Sequence, residues 1–278
     1  MSDHTNAMNE FVAAMVAAGL EPVDDLALID GELKRYRIKG DKAGSRNGWA
    51  VFYTHPVPAG AFGSWRTGET QTWRTRPPVG ETAKARAERR RQLEEMRRLR
   101  IAEQASVQAS ARERAARIWG TARPATNVHR YLQAKGVHAF GIRQLRDMLV
   151  IPARDAAGVL HTLQFIGVDG TKRFLTGGRI EGCYCSMGRV VDCLYLCEGY
   201  ASAATVHTAT GQAAAACFSC GNLKAVAVAL RLKFPLLRLV IAADNDAGTA
   251  GNPGVTHAFE AAAAAGALVA VPQFGGLN

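Results

Sequence analysis

In the C-terminal third the apolar positions fall in short unbroken runs rather than in alternation, with stretches of helical character between them. Strands are predicted over 190–197, 213–218, 237–243 and 267–271. A helix between the first two runs from Ala201 to a stop at Gly211, and the next takes Asn222 as its N-cap and stops before Pro235. A last helix occupies 253–265, with Pro253 in its first turn and Gly266 just past its end. Strands separated in this way by helices define a right-handed parallel α/β sheet with flanking helices.

Upstream the rhythm changes. Val128 to Lys135 suits a helix stopped by Gly136. Met148–Pro152 and Val159–Ile166 read as strands joined by the turn Arg154-Asp155-Ala156-Ala157-Gly158. Asp169-Gly170 then turns the chain into Thr171–Leu175, a hairpin pattern that ends on two adjacent cations, Lys172 and Arg173. Thr82 to Ile118 lacks Pro and Gly and predicts one or two long polar helices with a thin apolar stripe at Leu93, Met96, Leu99 and the alanines. Before it, a helix over Phe11–Leu20 precedes strand-like pieces at Lys34–Ile38 and Gly48–Tyr53. The organisation expected is a small β-rich N-terminal module over 1–80, a helical linker over 81–118, an α+β subdomain over 119–188 and the parallel sheet over 189–278.

In the N-terminal module Trp49, Phe52, Tyr53, Phe62, Trp65 and Trp73 interleave with Arg35, Arg37, Lys39, Lys42, Arg46, Arg66 and Arg74. Such a surface can stack bases while its cations hold phosphates. The same aromatics would equally serve as the core of a small β module, and both readings stand. The formal net charge of +10 suits a polyanionic partner, although arginine enrichment also follows genome composition. No stretch approaches the apolar length needed to cross a bilayer, and Met1-Ser2-Asp3-His4 begins nothing like a signal peptide, so a soluble cytoplasmic protein is expected. Cys183, Cys185, Cys193, Cys197, Cys217 and Cys220 fall in one region. Cys217-Phe218-Ser219-Cys220 has zinc or redox spacing, but no second such pair or nearby histidine pair completes a ligand set, and buried reduced thiols are expected.

Two apolar runs end in acids. Leu194-Tyr195-Leu196-Cys197 leads into Glu198-Gly199-Tyr200, and Leu239-Val240-Ile241-Ala242-Ala243 leads into Asp244-Asn245-Asp246-Ala247-Gly248. Buried parallel strands deliver such residues to the C-terminal edge of a sheet, where ligand sites of open α/β folds lie. Carboxylates meeting there suit a hard divalent cation, and with it phosphate chemistry. Gly199, Gly248 and Gly251 let the backbone turn tightly and approach phosphate. Taken singly, Glu198 could cap a helix and Asp244 and Asp246 could form a turn; the combination with a βα unit between favours a metal site.

The 190–266 segment resembles a TOPRIM domain, the metal-dependent module shared by topoisomerases and primases, on its Glu198-Gly199-Tyr200 and Asp244-Asn245-Asp246-Ala247-Gly248 motifs. Leu149–Pro152, Arg154-Asp155, Gly158–Leu160, Lys172–Leu175 and Gly221-Asn222-Leu223 are similar to primases of plasmids and phages, relatives of bacterial replicative primases. The resemblance implies a DNA primase that makes short RNA primers on a single-stranded DNA template from ribonucleoside triphosphates, with Mg²⁺ or Mn²⁺ and a replicative helicase as partner. It casts Glu198, Asp244 and Asp246 as catalytic and metal-binding, and Lys172, Arg173, Gly199, Asn222 and Asn252 as nucleotide- or DNA-binding. Rival readings are a TOPRIM nuclease or topoisomerase-like phosphotransferase, and a catalytically silent DNA-binding accessory protein. Departures from the replicative pattern are Ser202, where those primases carry an aspartate, and the lack of a Cys/His zinc ribbon before the catalytic part. No G-x-x-x-x-G-K-[ST] of a helicase motor occurs in the sequence.

Overall fold

The computed structural model describes residues 3–55, 57–64, 67, 69–75, 83–249 and 251–272. It contains two units, Met1–Ile101 and Ala102–Asn278.

In the first unit, helix α1 (Asp3–Ala17) precedes strands β1 (Lys34–Tyr36), β2 (Gly48–Tyr53), β3 (Ala59–Ser64) and β4 (Thr70–Arg74). The strands form an antiparallel sheet in the order β1-β2-β3-β4. The core is aromatic. Phe11 of α1 meets Phe52, Phe62 and Trp73 with ring centroids 5.2, 5.5 and 5.6 Å apart. Gly60 is required beneath it, because a Cβ there would lie 2.4 Å from the Phe11 ring. Phe52 and Phe62 are therefore core residues with no open face for a base, and Trp73 is half-buried against them. Trp65 and Arg66 lie outside the described residues.

Helix α2 (Ala83–Thr121) is a single helix and runs past the Ile118 expected as its end. Ala111, Ala115 and Ala122 are buried on one stripe, and Ala115, Ile118, Trp119 and Ala122 pack with Val150 and Leu163. Arg143 lies 4.6 Å from the Trp119 ring centroid and donates to the Trp119 and Ala122 carbonyls at the helix end. The last turns of α2 thus belong to the second unit's core, not to a solvated linker.

After α2 come β5 (Arg123–Pro124), α3 (Arg130–Lys135), β6 (Arg143–Leu145), β7 (Met148–Arg154), β8 (Leu160–Ile166) and β9 (Lys172–Phe174). The strands form an antiparallel sheet in the order β5-β6-β7-β8-β9. His129 caps α3 by accepting from the Tyr131 N–H, and Gly136 closes it at φ +63. Pro152 is tolerated in a central strand because β6 pairs only with Met148–Val150.

The second sheet contains β10 (Cys185–Met187), β11 (Cys193–Cys197), β12 (Ala213–Ala216), β13 (Arg238–Ala242) and β14 (Leu268–Ala270), in the order β10-β12-β11-β13-β14. The four strands expected from the sequence pair in parallel. The short β10, which the sequence pattern did not indicate, adds an antiparallel edge. Between them run α4 (Tyr200–Thr210), α5 (Cys220–Lys233) and α6 (Pro253–Ala265). The all-alanine β12 is buried on both faces. Ala213 and Ala215 meet Leu223, Val226 and Leu230 of α5 and the alanines of α6, while Ala214 and Ala216 meet Tyr200, Ala203 and Ala204 of α4 with Leu132, Ile151 and Ile166. Helix α5 starts at Cys220 with Ser219 as its N-cap, so Asn222 lies inside the helix instead of capping it. Among the described residues no helix is long and apolar enough to cross a membrane.

Candidate metal and phosphate site

Parallel register places the two acidic motifs side by side. Cys197 is level with Ala216 on one neighbour and Ala242 on the other, so Glu198 and Asp244 emerge together at the C-terminal edge. Glu198 is half-buried and one of its carboxylate oxygens has no hydrogen-bond partner. Burial, then the charges of Asp244 and Asp246, push its carboxyl up to about 7, against the Cys220 N–H and His257, which pull it down. Asp244 is also raised, by burial and then Asp246, while Lys172 and a hydrogen bond from the Ser202 hydroxyl act the other way. Three carboxylates therefore feel one another.

The hairpin brings one cation to this edge. The Lys172 Nζ and the Ser202 Oγ each lie 3.9 Å from the position a Cβ on Gly199 would take. Ser202, which stands where an aspartate was expected by analogy, thus serves Asp244. Alternation along β9 sends Arg173 to the other face, with its guanidinium 5.9 Å from the Phe165 ring centroid.

The D-x-D loop is latched from α6. Asn252, at φ +38, accepts from the Asp246 N–H at 3.0 Å and donates to the Asn245 side chain at 2.9 Å. It also caps α6 by accepting from the Val255 N–H. Gly254 lets the helix start against the loop: a Cβ there would fall 2.3 Å from the Asp244 carbonyl oxygen and 3.1 Å from the Asp246 Oδ2. Sequence reasoning singled out Asn252 for nucleotide or DNA and Pro253 as a helix start, but gave Gly254 no part in this contact. Asn222 faces inward. Its Oδ1 accepts from the Gly182 N–H, and its Nδ2 donates to the carbonyls of Ile180, Cys183 and Cys217. That side chain shapes loops and keeps no group for a ligand.

The donor set fits a hard divalent cation: an unpartnered buried carboxylate oxygen and three acids whose charges oppose each other. Among the described residues no group of three or more His, Cys, Asp and Glu is already drawn into metal-binding geometry. The six cysteines are free, and burial raises the Cys197 thiol to about 12 and pushes the Cys217 thiol well above its ordinary value.

Residues 193–274 match the model of the Toprim domain. The C-terminal part of the chain, with its acids at the edge of a mostly parallel sheet, is thus similar to Toprim domains. The chain is 38% identical over 283 residues to the DNA primase TraC of Escherichia coli, covering 96% of this chain and 26% of that protein. A second DNA primase TraC of Escherichia coli is 36% identical over 284 residues, covering 95% and 19%. The chain thus spans about a quarter of the length of the first relative and about a fifth of the second. The solved primase fragment of the bacteriophage T7 primase-helicase protein overlays with a TM-score of 0.40 at 14% identity, over 56% of this chain and 69% of that one.

Proposed function

We propose that the chain is a DNA primase of a plasmid, phage or integrated element, which makes short RNA primers on single-stranded DNA from ribonucleoside triphosphates. The observation that carries this reading is the meeting of Glu198, Asp244 and Asp246 at one sheet edge, with Lys172 delivered to it by the β9 hairpin. The similarity to proteins named DNA primase, over nearly the whole chain, supports it. The domains divide this labour: 189–278 holds the acids, 119–188 supplies the phosphate-facing cation, 81–118 links, and 1–80 is an accessory module.

Asp244 and Asp246 would hold Mg²⁺ or Mn²⁺, with Glu198 completing the donors. Such an ion would neutralise charge on the transferred phosphate and leaving pyrophosphate. The protein's own part is positional and acid–base. In the ion-free site burial and the neighbouring aspartates raise the Glu198 carboxyl to about 7; as an alternative to donating to the ion, Glu198 would take the proton of an attacking 3′-hydroxyl. Lys172 offers a point charge to a nucleotide phosphate, and the open backbone at Gly199 admits it. Asn252 keeps Asp246 aimed at the site, Asn222 braces the loops behind it, and Arg173 lies on the adjoining face for template phosphates. The setting is cytoplasmic, with a replicative helicase as partner.

The test is to incubate the chain with single-stranded DNA, Mg²⁺ or Mn²⁺ and labelled ribonucleotides. Primer-length products that vanish in Asp244→Ala are expected. Nicked or shortened DNA would instead mark a nuclease, and DNA binding with neither product an accessory protein.

A further inference from the structure

One residue at the sheet edge packs on the core with only part of its ring and holds an unusual backbone. Phe218 lies two residues past the end of β12 and holds φ +75, a left-handed conformation that a bulky side chain rarely adopts and glycine adopts freely. Its turn is tied to the strand carrying Glu198, since the Cys217 N–H donates to the Cys197 carbonyl at 2.8 Å. The ring is only half-buried. It stands edge-on to Phe174, with centroids 5.4 Å apart and planes at 81°. Phe174 is two residues from Lys172 and so shares its face of β9, the face turned toward Gly199 and Asp244. One wall of the cleft therefore carries a phosphate-seeking cation and, one step along, two half-exposed aromatic rings.

We propose that Phe174 and Phe218 form a stacking step for a nucleobase, belonging to a nucleotide whose phosphate lies at Lys172. The proposal rests on the primase reading and names how that site grips its substrate. Aromatic stacking tolerates any base, as copying an arbitrary template demands. Packing on the core uses part of the Phe218 ring, and the part left exposed is what a base can stack on. The base is that of an incoming ribonucleoside triphosphate or of the template strand, which share this chemistry.

The experiment uses the whole chain and the variants Phe218→Gly and Phe174→Leu, titrated with ATP, UTP, oligodeoxythymidylate and inorganic tripolyphosphate in Mg²⁺. Phe218→Gly should melt at or above the parent temperature and lose affinity for nucleotide or oligonucleotide by about five- to a hundredfold, with tripolyphosphate binding unchanged. Loss confined to ATP and UTP assigns the base to the incoming nucleotide; loss confined to the oligonucleotide assigns it to the template. Phe174→Leu keeps the question decidable if Phe218→Gly fails to fold. Parent-like affinity in folded variants, or an equal loss of tripolyphosphate binding, overturns the stacking step. A parent that makes primers with ring-independent binding sinks the stacking step alone. A parent that binds bases through the rings yet makes no primers sinks the primase reading alone, and one that binds no probe sinks both.

Discussion

Glu198 sits where a negative charge is least welcome, close to two aspartates and partly out of water, and this gives the ion-free chain a defined pH response. An unfolded glutamate releases its proton near 4.5, while the folded one holds it to about 7. Between those values the folded state binds the extra proton, so this contribution to stability is complete below pH 4.5 and is lost as pH rises through 7. Asp244 is raised as well and acts in the same sense. Asp155 is lowered, with burial outweighed by hydrogen bonds from His161, Val159 and Ala157, so its contribution is lost only in stronger acid and does not mask the effect. The melting temperature without divalent ions should therefore fall from pH 5 to pH 8, a change that Mn²⁺ reverses because the cation replaces the proton. Glu198→Gln should flatten the curve, raise stability at pH 8 and abolish primer synthesis. A flat or rising profile in the parent would remove the coupled-acid account.

Gly254 carries a second expectation at this scale. Adding one methyl group forces α6 away from the Asp244 carbonyl oxygen, only 2.3 Å from the new carbon. Gly254→Ala should cost about 1–3 kcal/mol by denaturant titration, as overpacking does, and weaken Mn²⁺ binding in the same protein. Unchanged values of both would show that the loop does not depend on the close approach.

Among the elements, α5 is pinned by Asn222, whose amide joins the 180–183 loop to the end of β12. Asn222→Ala leaves a half-buried N–H at Gly182 and a buried carbonyl at Cys217 without that partner, a loss of about 1–3 kcal/mol. Thermal melts of the variant should show it, with faster amide exchange at Gly182. The sequence made the parallel strands and their helices legible because unbroken apolar runs, glycine stops and Pro253 are local signals. The acids at the edge were legible for the same reason: each motif immediately follows such a run. Strand β10 was not, since a three-residue edge strand has no periodicity of its own. The alanine stripe of α2 was read but taken for a solvated linker face because alanine is a weak hydrophobic marker, and the start of α5 was misplaced because Asn222 looks like a cap when its long-range partners are unseen. The divergence of Lys172 and Arg173 follows from strand alternation and was available in principle.

For the whole molecule, the consequence of two units is that, among the described residues, each has buried clusters of its own. Phe11, Phe52 and Phe62 belong to a cluster with α1 and its sheet, whereas the sheet bearing the acids is packed by α4, α5 and α6. Removing the ring at Phe11, fully buried among three other aromatics, should cost about 3–5 kcal/mol in its own unit. Separate cores need not melt together, and a chain of this kind is not bound to two-state unfolding. Phe11→Ala should therefore shift a low-temperature calorimetric transition downward and leave a second transition, and Mn²⁺ binding, where they are in the parent. Hydrogen exchange would assign the shifted transition to amides of 3–75, with β11 and β13 protected as before. If both sets of amides lost protection together, the units would be one cooperative body, and the N-terminal module would be part of the site's foundation and not an attachment to it.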